Sequence, residues 1–322
     1  MKIFVTRPIP EEGLNMLREK GYEVVINETA RYRVATKEEV LAGVADADAL
    51  LSILTEKIDG EVMDAGKNLK IIANYAVGFD NVDLDAARER NLMVTNTAVS
   101  EVSESVAEHT FALMLSIGHR IVEGDQFSRD GKYTAWGPEL LMGTDVYKKT
   151  LGIVGLGNIG KKVAYQAVRG FDMKVLYNDL KPNADFESEF GATYVEKLEG
   201  MLPQCDFVTL HVPLLDATKH LMNTERFKLM KNTAFMVNTS RGPVVDEKAL
   251  VKALKNGEIR GAGMDVYEFE PEITSELKEM DNVIITPHIA SATDATRGAM
   301  SVAAATNIIE ALEGRTPPNL VK

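Results

Sequence analysis

Apolar positions along the chain follow two alternating patterns. Short runs rich in Val, Ile and Leu recur between polar turns, and most are followed by a stretch with apolar residues every three or four positions. In the first third the runs fall at 2–6, 22–26, 49–54, 69–73 and 92–95 and predict strands. The helical period appears over 11–20, with Leu14, Met16 and Leu17 near one face, and again at 37–44, 60–65 and 84–90. Strands separated by helices of this length require right-handed crossovers, which build a parallel sheet. A second series starts at Leu151, with strands predicted at 151–154, 174–177, 207–211, 234–238, 263–266 and 283–286. Its helices are expected near 159–168, 224–229 and 247–255, the last stopped by Asn256-Gly257, where glycine accepts a left-handed cap. Six strands with interleaved helices match a doubly wound nucleotide-binding sheet.

Between the two series a helix is expected over 100–118, followed by an irregular stretch containing Gly124, Gly131, Gly137, Pro138 and Gly143. That is long for a loop inside a domain. It reads either as an arm packing on a second subunit with Trp136 as anchor, or as a surface excursion with one buried tryptophan. After Ala292 a final helix runs to about Leu312, where Gly314 and Pro317-Pro318 stop it.

A length of 322 residues favours two domains, and 45% hydrophobic with 26% charged residues is ordinary globular usage. The net charge of −12 repels phosphate backbones, so nucleic acid is not an expected partner. A single cysteine, Cys205, excludes an internal disulfide and a cysteine-based zinc site. No apolar run approaches the ~18 residues of a membrane span, so no membrane partner is expected. Residues 1–8 lack the pattern of a secretory signal and read as a strand, so the expected location is cytoplasmic.

The sharpest local signal is Gly155, Gly157 and Gly160, a G-x-G-x-x-G directly after an apolar strand and before a helical pattern. The first glycine permits a tight turn, the second close approach to a pyrophosphate, and the third close packing of helix on strand. Asp179 ends the next strand, 19 residues after Gly160. There a carboxylate accepts hydrogen bonds from both ribose hydroxyls of the adenosine and repels a 2′-phosphate, favouring NAD over NADP. Asp179 also reads as a turn residue before Pro182, and Lys181 is the nearby feature that would soften discrimination.

Hydride transfer to a carbonyl needs an acid/base, a cation that orients the substrate, and a group that tunes the acid. Of five histidines, His109 and His119 lie on a helical stretch where a packed or surface role is the default, and His220 reads as exposed. No histidine pair has the spacing of a zinc site, and no metal is expected. His288 follows Pro287 at a predicted strand end, Arg241 follows the strand 234–238, and Glu270 lies just past the strand 263–266. The carboxyl edge of such a sheet is where ligands sit. Singly these residues read as a core histidine, a capping arginine and a solvated acid. Beside a dinucleotide site they read as catalytic.

In its ordered motifs the chain resembles the D-isomer-specific 2-hydroxyacid dehydrogenase family, and within it the glyoxylate/hydroxypyruvate reductases. The carriers are Ala76-Val-Gly-Phe-Asp-Asn-Val-Asp83, Val106-Ala-Glu-His109, the glycine loop, His211-Val-Pro213, Asn238-Thr-Ser-Arg-Gly242, 265–271 and Pro287-His-Ile-Ala290. The resemblance implies two Rossmann- or flavodoxin-like doubly wound α/β domains with a cleft between them. Residues 1–102 plus 291–322 would bind substrate, and 103–290 the dinucleotide. It further implies that Arg241 binds the substrate carboxylate and ketone oxygen, that His288 is the acid/base, and that Glu270 pairs with its imidazolium form. Backbone amides at Val77 and Gly78 would grip the carboxylate. Asp265 and Thr239 would lie near the nicotinamide, Asn158 and Ile159 at the pyrophosphate, and Val212 and Pro213 beside the adenosine. Ser103 stands where the family usually has threonine, one residue late relative to Asn96, and Ala98 replaces the common proline. A homodimer is expected by the same resemblance.

Leu54 occupies the substrate-facing loop where phosphoglycerate dehydrogenases of the family usually place an arginine for phosphate. That points to a small unphosphorylated 2-oxoacid, glyoxylate or hydroxypyruvate, although Lys57 could reach a second charge. Formate dehydrogenases carry glutamine in place of the glutamate, so Glu270 speaks against them. The alternatives are another 2-oxoacid such as 3-phosphohydroxypyruvate, or an NAD(H)-sensing binding protein resembling the C-terminal-binding-protein corepressors.

Overall fold

The computed structural model describes residues 1–321, which divide into two compact units, Met1–Val102 with the residues from Ala292 onward, and Ser103–Ser291. In the first unit β1 (Lys2–Val5), β2 (Glu23–Ile26), β3 (Ala49–Ile53), β4 (Ile71–Tyr75) and β5 (Met93–Thr95) form a parallel sheet ordered β2-β1-β3-β4-β5. This is the flavodoxin-like winding. The crossovers are α1 (Glu11–Glu19), α2 (Lys37–Val44), α3 (Gly60–Ala65) and α4 (Leu84–Glu89). Three of them begin at side-chain caps. Thr36 makes a reciprocal box with Glu39, Asp59 accepts from the Val62 N–H, and Asp83 accepts from the Ala86 N–H. All five residues of β4 are buried, as expected for a central strand covered on both faces. The helix Asp294–Leu312 packs on α1 so closely that a Cβ on Gly13 would lie 2.0 Å from the Ser301 carbonyl oxygen.

The second unit takes up most of α5 (Ser100–Gly118), then α6 (Ile121–Arg129). The stretch after Gly118 is therefore not wholly irregular. Arg120, at φ +55°, breaks the chain between the two helices, and α6 buries none of its residues, so its apolar signal is weak. Trp136 is 79% exposed, which overturns the buried-tryptophan reading of this stretch.

Seven parallel strands follow: β6 (Thr150–Val154), β7 (Lys174–Asn178), β8 (Thr193–Tyr194), β9 (Phe207–Leu210), β10 (Phe235–Asn238), β11 (Gly261–Met264) and β12 (Val283–Ile285). Their order is β12-β11-β10-β9-β6-β7-β8, with the reversal of winding between β6 and β9. Beyond α7 (Asn158–Phe171), the helices are α8 (Ala184–Phe190), α9 (Leu198–Met201), α10 (Thr224–Phe227), α11 (Glu247–Lys255) and α12 (Ser275–Lys278). Side chains alternate between two cores: Val208, Leu210 and Met236 enter one with α11, while Phe207, Phe235 and Val237 enter the other with α5 and α7.

Two differences from the sequence expectation have local causes. The edge strand β8 is only two residues long, too short to carry an alternation. β11 begins two residues before the expected 263–266, because its start is glycine-rich. A Cβ on Gly263 would lie 3.1 Å from Leu113 Cβ, so the small residues let α5 seat on the sheet.

Candidate active site

The glycine turn sits where the winding of the second sheet reverses. Gly155 has φ +94°, and a Cβ there would lie 2.7 Å from the His211 carbonyl oxygen. A Cβ on Gly160 would lie 2.1 Å from the Gly155 carbonyl oxygen, so the third glycine lets α7 sit against the turn. A Cβ on Gly157 would meet nothing within 4 Å. The turn is thus open at Gly157, the N-cap of a 14-residue helix whose first turn, with Asn158 and Ile159, carries no acidic side chain. Unpaired N–H groups and an open backbone cradle fit the charge of a pyrophosphate.

Asp179 follows β7 and is half-buried. Its Oδ2 accepts from the Leu156 N–H (2.7 Å) and its Oδ1 from the Leu180 N–H (2.6 Å), which fixes the carboxylate against the glycine turn. Past β9, Val212 is half-buried and Pro213 exposed, and Val212 Cγ1 lies 3.0 Å from where a Gly155 Cβ would stand. Both ring nitrogens of His211 are buried without a hydrogen-bond partner, and burial holds its imidazole neutral by lowering its pKa to about 3.

At the end of β10, Asn238 folds the next three residues into a tight turn. Its Nδ2 donates to the Arg241 carbonyl (3.0 Å), and its Oδ1 accepts from the Ser240 N–H (3.0 Å) and hydroxyl (2.8 Å). Arg241 is half-buried and its Nη1 donates to the Ser240 carbonyl (2.9 Å). Thr239 is buried, its Oγ1 3.0 Å from Thr110 Oγ1 on α5. A Cβ on Gly242 would lie 1.8 Å from the Tyr267 carbonyl oxygen, so the arginine turn abuts the loop after β11 backbone to backbone.

That loop presents Glu270. Its Oε1 accepts from the Tyr267 N–H (3.0 Å), and its Oε2 lies 2.9 Å from Nδ1 of His288. Both side chains are about a quarter exposed, at 26% and 25%. His288 has φ +55°, and its N–H donates to the carbonyls of Asp265 (2.9 Å) and Thr286 (3.0 Å). With Nδ1 engaged by a carboxylate, Nε2 is the ring nitrogen left for a reacting oxygen. Asp265 is fully buried. Burial alone would raise its pKa, but hydrogen bonds from His109, Thr286 and the N–H groups of Ile289 and Ala290 outweigh it and hold the carboxyl below its ordinary value.

The carboxyl edge of the second sheet therefore carries Arg241, Glu270 and His288 on adjacent loops. Leu54, Val77 and Gly78 belong to the first unit, after β3 and β4. Leu54 is half-buried. Asn96 Nδ2 donates to the Val77 carbonyl (2.8 Å) and Asn74 Nδ2 to the Gly78 carbonyl (3.0 Å). Because carbonyl and N–H of a trans peptide point oppositely, the Gly78 N–H is turned away from Asn96. Ser103 is half-buried in the first turns of α5. His220, expected to be exposed, is half-buried with Nε2 2.6 Å from Glu268 Oε1. Sequence reasoning missed the positioning asparagines; the signal available was an asparagine near the end of β4, just after β5 and at the end of β10. Among the described residues no cluster of His, Cys, Asp and Glu is placed to hold a metal ion, and no helix is long and apolar enough to cross a membrane.

Comparison with known proteins agrees with this geometry. The sequence profile of the D-isomer specific 2-hydroxyacid dehydrogenase, NAD binding domain, matches residues 111–290. A glyoxylate reductase of Pyrococcus furiosus is 47% identical over 324 residues, covering 99% of this chain and 95% of that protein. Among solved structures, the TT0316 protein of Thermus thermophilus superposes with a TM-score of 0.93 at 43% identity, covering 100% of both chains. An NADPH-dependent glyoxylate/hydroxypyruvate reductase of Sinorhizobium meliloti superposes with a TM-score of 0.86 at 31% identity, covering 99% of this chain and 97% of that one. A glycine turn built for a dinucleotide, a strand-edge arginine and a Glu–His pair, matched along the whole chain, make this protein an oxidoreductase of the D-isomer-specific 2-hydroxyacid dehydrogenase family.

Proposed function

We propose that the protein reduces a small unphosphorylated 2-oxoacid, glyoxylate or hydroxypyruvate, to its D-2-hydroxyacid with NADH. The observation that carries this reading is the 2.9 Å contact of Glu270 Oε2 with His288 Nδ1, beside the arginine turn. Gly155, Gly157, Gly160, Asn158 and Ile159 would hold the pyrophosphate, Asp179 the adenosine ribose flanked by Val212 and Pro213, and Thr239 and Asp265 the nicotinamide end. Bound there, the dinucleotide supplies the hydride. Arg241 offers a planar fork to the substrate carboxylate and a cation beside the ketone oxygen. His288 Nε2 delivers the proton that this oxygen needs as it becomes a hydroxyl, and Glu270 holds the ring and balances its charge. In the reverse direction the same nitrogen accepts the proton.

Asp179 supports NADH over NADPH, since a 2′-phosphate would meet a carboxylate already fixed by two backbone N–H groups. Leu54, where a cation would hold a phosphate, supports an unphosphorylated substrate. The test is initial-rate oxidation of NADH and NADPH with glyoxylate, hydroxypyruvate, pyruvate and 3-phosphohydroxypyruvate. Turnover of either of the first two with NADH is expected. Turnover with NADPH alone would overturn the cofactor assignment, and turnover of the phosphorylated acid alone the substrate assignment. No turnover with any would point first to a bulkier 2-oxoacid and then to a sensing protein.

We also infer a homodimer, with the segment after α5 as part of its contact surface. Ile121, Tyr133, Trp136, Met142 and Tyr147 on that segment are each more than half exposed in the single chain. Apolar groups exposed together commonly mark an interface. Sedimentation equilibrium is expected to give twice the chain mass; a monomer at micromolar concentration would contradict it.

A further inference from the structure

One polar row of the second sheet lies under α5. Asn238 pairs with Leu210 and Met264, and Met264 with Ile285. The next row along the strands is therefore His211, Thr239, Asp265 and Thr286, pointing to the face that α5 covers. On α5, Thr110 meets Thr239, and His109 reaches Thr286 and Asp265. His109 Nε2 lies 3.2 Å from Thr286 Oγ1 and 3.6 Å from Asp265 Oδ1. The Thr286 hydroxyl proton is committed, because Oγ1 donates to Asp265 Oδ1 at 2.6 Å and an ionised carboxylate only accepts. The proton between ring and hydroxyl must then be on the ring, so His109 donates from Nε2.

Asp265 in turn holds the segment that follows His288. Its Oδ1 accepts from the Ile289 N–H (2.8 Å) and its Oδ2 from the Ala290 N–H (2.8 Å), while Ser105 of α5 donates to the Ala290 carbonyl (2.9 Å). His288 sits between the anchored Thr286 and the anchored Ile289 and Ala290, in a left-handed conformation that is uncommon for a residue other than glycine. We propose that His109 is a positioning residue for the acid/base: through Thr286 and Asp265 it fixes the 286–290 segment and with it the aim of His288. This inference rests on the reading of His288 as the proton donor.

The test compares full-length parent, His109→Leu and His109→Gln, since glutamine keeps an N–H donor of similar reach. Two readouts are taken: amide hydrogen exchange at Ile289 and Ala290, and kcat for 2-oxoacid reduction separately from KM for NADH. In His109→Leu, exchange at both amides is expected to quicken by about tenfold or more. The kcat is expected to fall by about tenfold or more with KM for NADH within about twofold of the parent, and His109→Gln should recover most of both. Unchanged exchange at Ile289 and Ala290 in His109→Leu would overturn the proposal, as would a glutamine variant as impaired as the leucine one. If the parent reduces no 2-oxoacid, the functional reading fails, and the exchange measurement still decides whether His109 fixes the segment.

Discussion

At φ +55°, the His288 backbone costs a non-glycine residue about 1–2 kcal/mol. The strain is held by two backbone acceptors on its N–H and by Glu270 on its ring. Removing the carboxylate should therefore do more than remove a charge. Glu270→Gln keeps the size of the side chain but leaves the imidazolium without its counter-charge. Its kcat for reduction should fall with KM for NADH unchanged, and a parent-like kcat would count against the pairing. Arg241→Lys replaces a planar fork by a point charge. It should raise KM for the 2-oxoacid more than KM for NADH, and equal changes in both would refute the assigned role. Arg241, Glu270 and His288 were legible in the sequence because each follows a recognisable strand. Asn238 and His109 were not, since their work depends on turn closure and on sheet register, which no run of apolar residues encodes.

At the scale of elements, the glycine turn separates two kinds of constraint. A methyl on Gly160 would meet backbone at 2.1 Å, whereas one on Gly157 would meet open space. Gly160→Ala should therefore lose stability, by about 1–3 kcal/mol as overpacking does. Gly157→Ala should keep the parent Tm and raise KM for NADH. A stable Gly160→Ala variant, or a Gly157→Ala variant with unaltered KM, would contradict this division. The order of strands and crossover helices was legible from alternating periods, and Gly257 does take the left-handed cap expected of it, at φ +66°. What escaped were elements with too little apolar signal: the two-residue β8, α6, which buries none of its residues, the glycine-rich start of β11, and the short helices α8, α9 and α12.

For the whole molecule, two buried groups set separate acid limits. His211 has its pKa lowered to about 3 from an ordinary 6.5, so below 6.5 the unfolded chain binds a proton that the folded one refuses. Stability should fall by about 1.4 kcal/mol per pH unit as pH drops through this window. Replacing His211 by Phe should flatten the dependence between pH 6.5 and 5, and a parent-like slope would contradict it. Asp265 acts lower. Its depressed pKa stabilises the fold fully above the ordinary carboxylate value of 3.8, and that contribution is lost as pH falls through the lowered value. Across the range in which a 2-oxoacid reductase would work, Asp265 thus stays charged and His211 neutral.

The most direct test of the account sets the parent beside His288→Gln in one assay, NADH oxidation with glyoxylate and hydroxypyruvate. The parent should turn over at least one of the two acids. The variant should lose about 10²–10⁴-fold in kcat, the usual contribution of a positioned acid/base, with KM for NADH unchanged. A variant that reduces either acid at the parent rate would contradict the assignment of His288, and with it the chemistry proposed for this site.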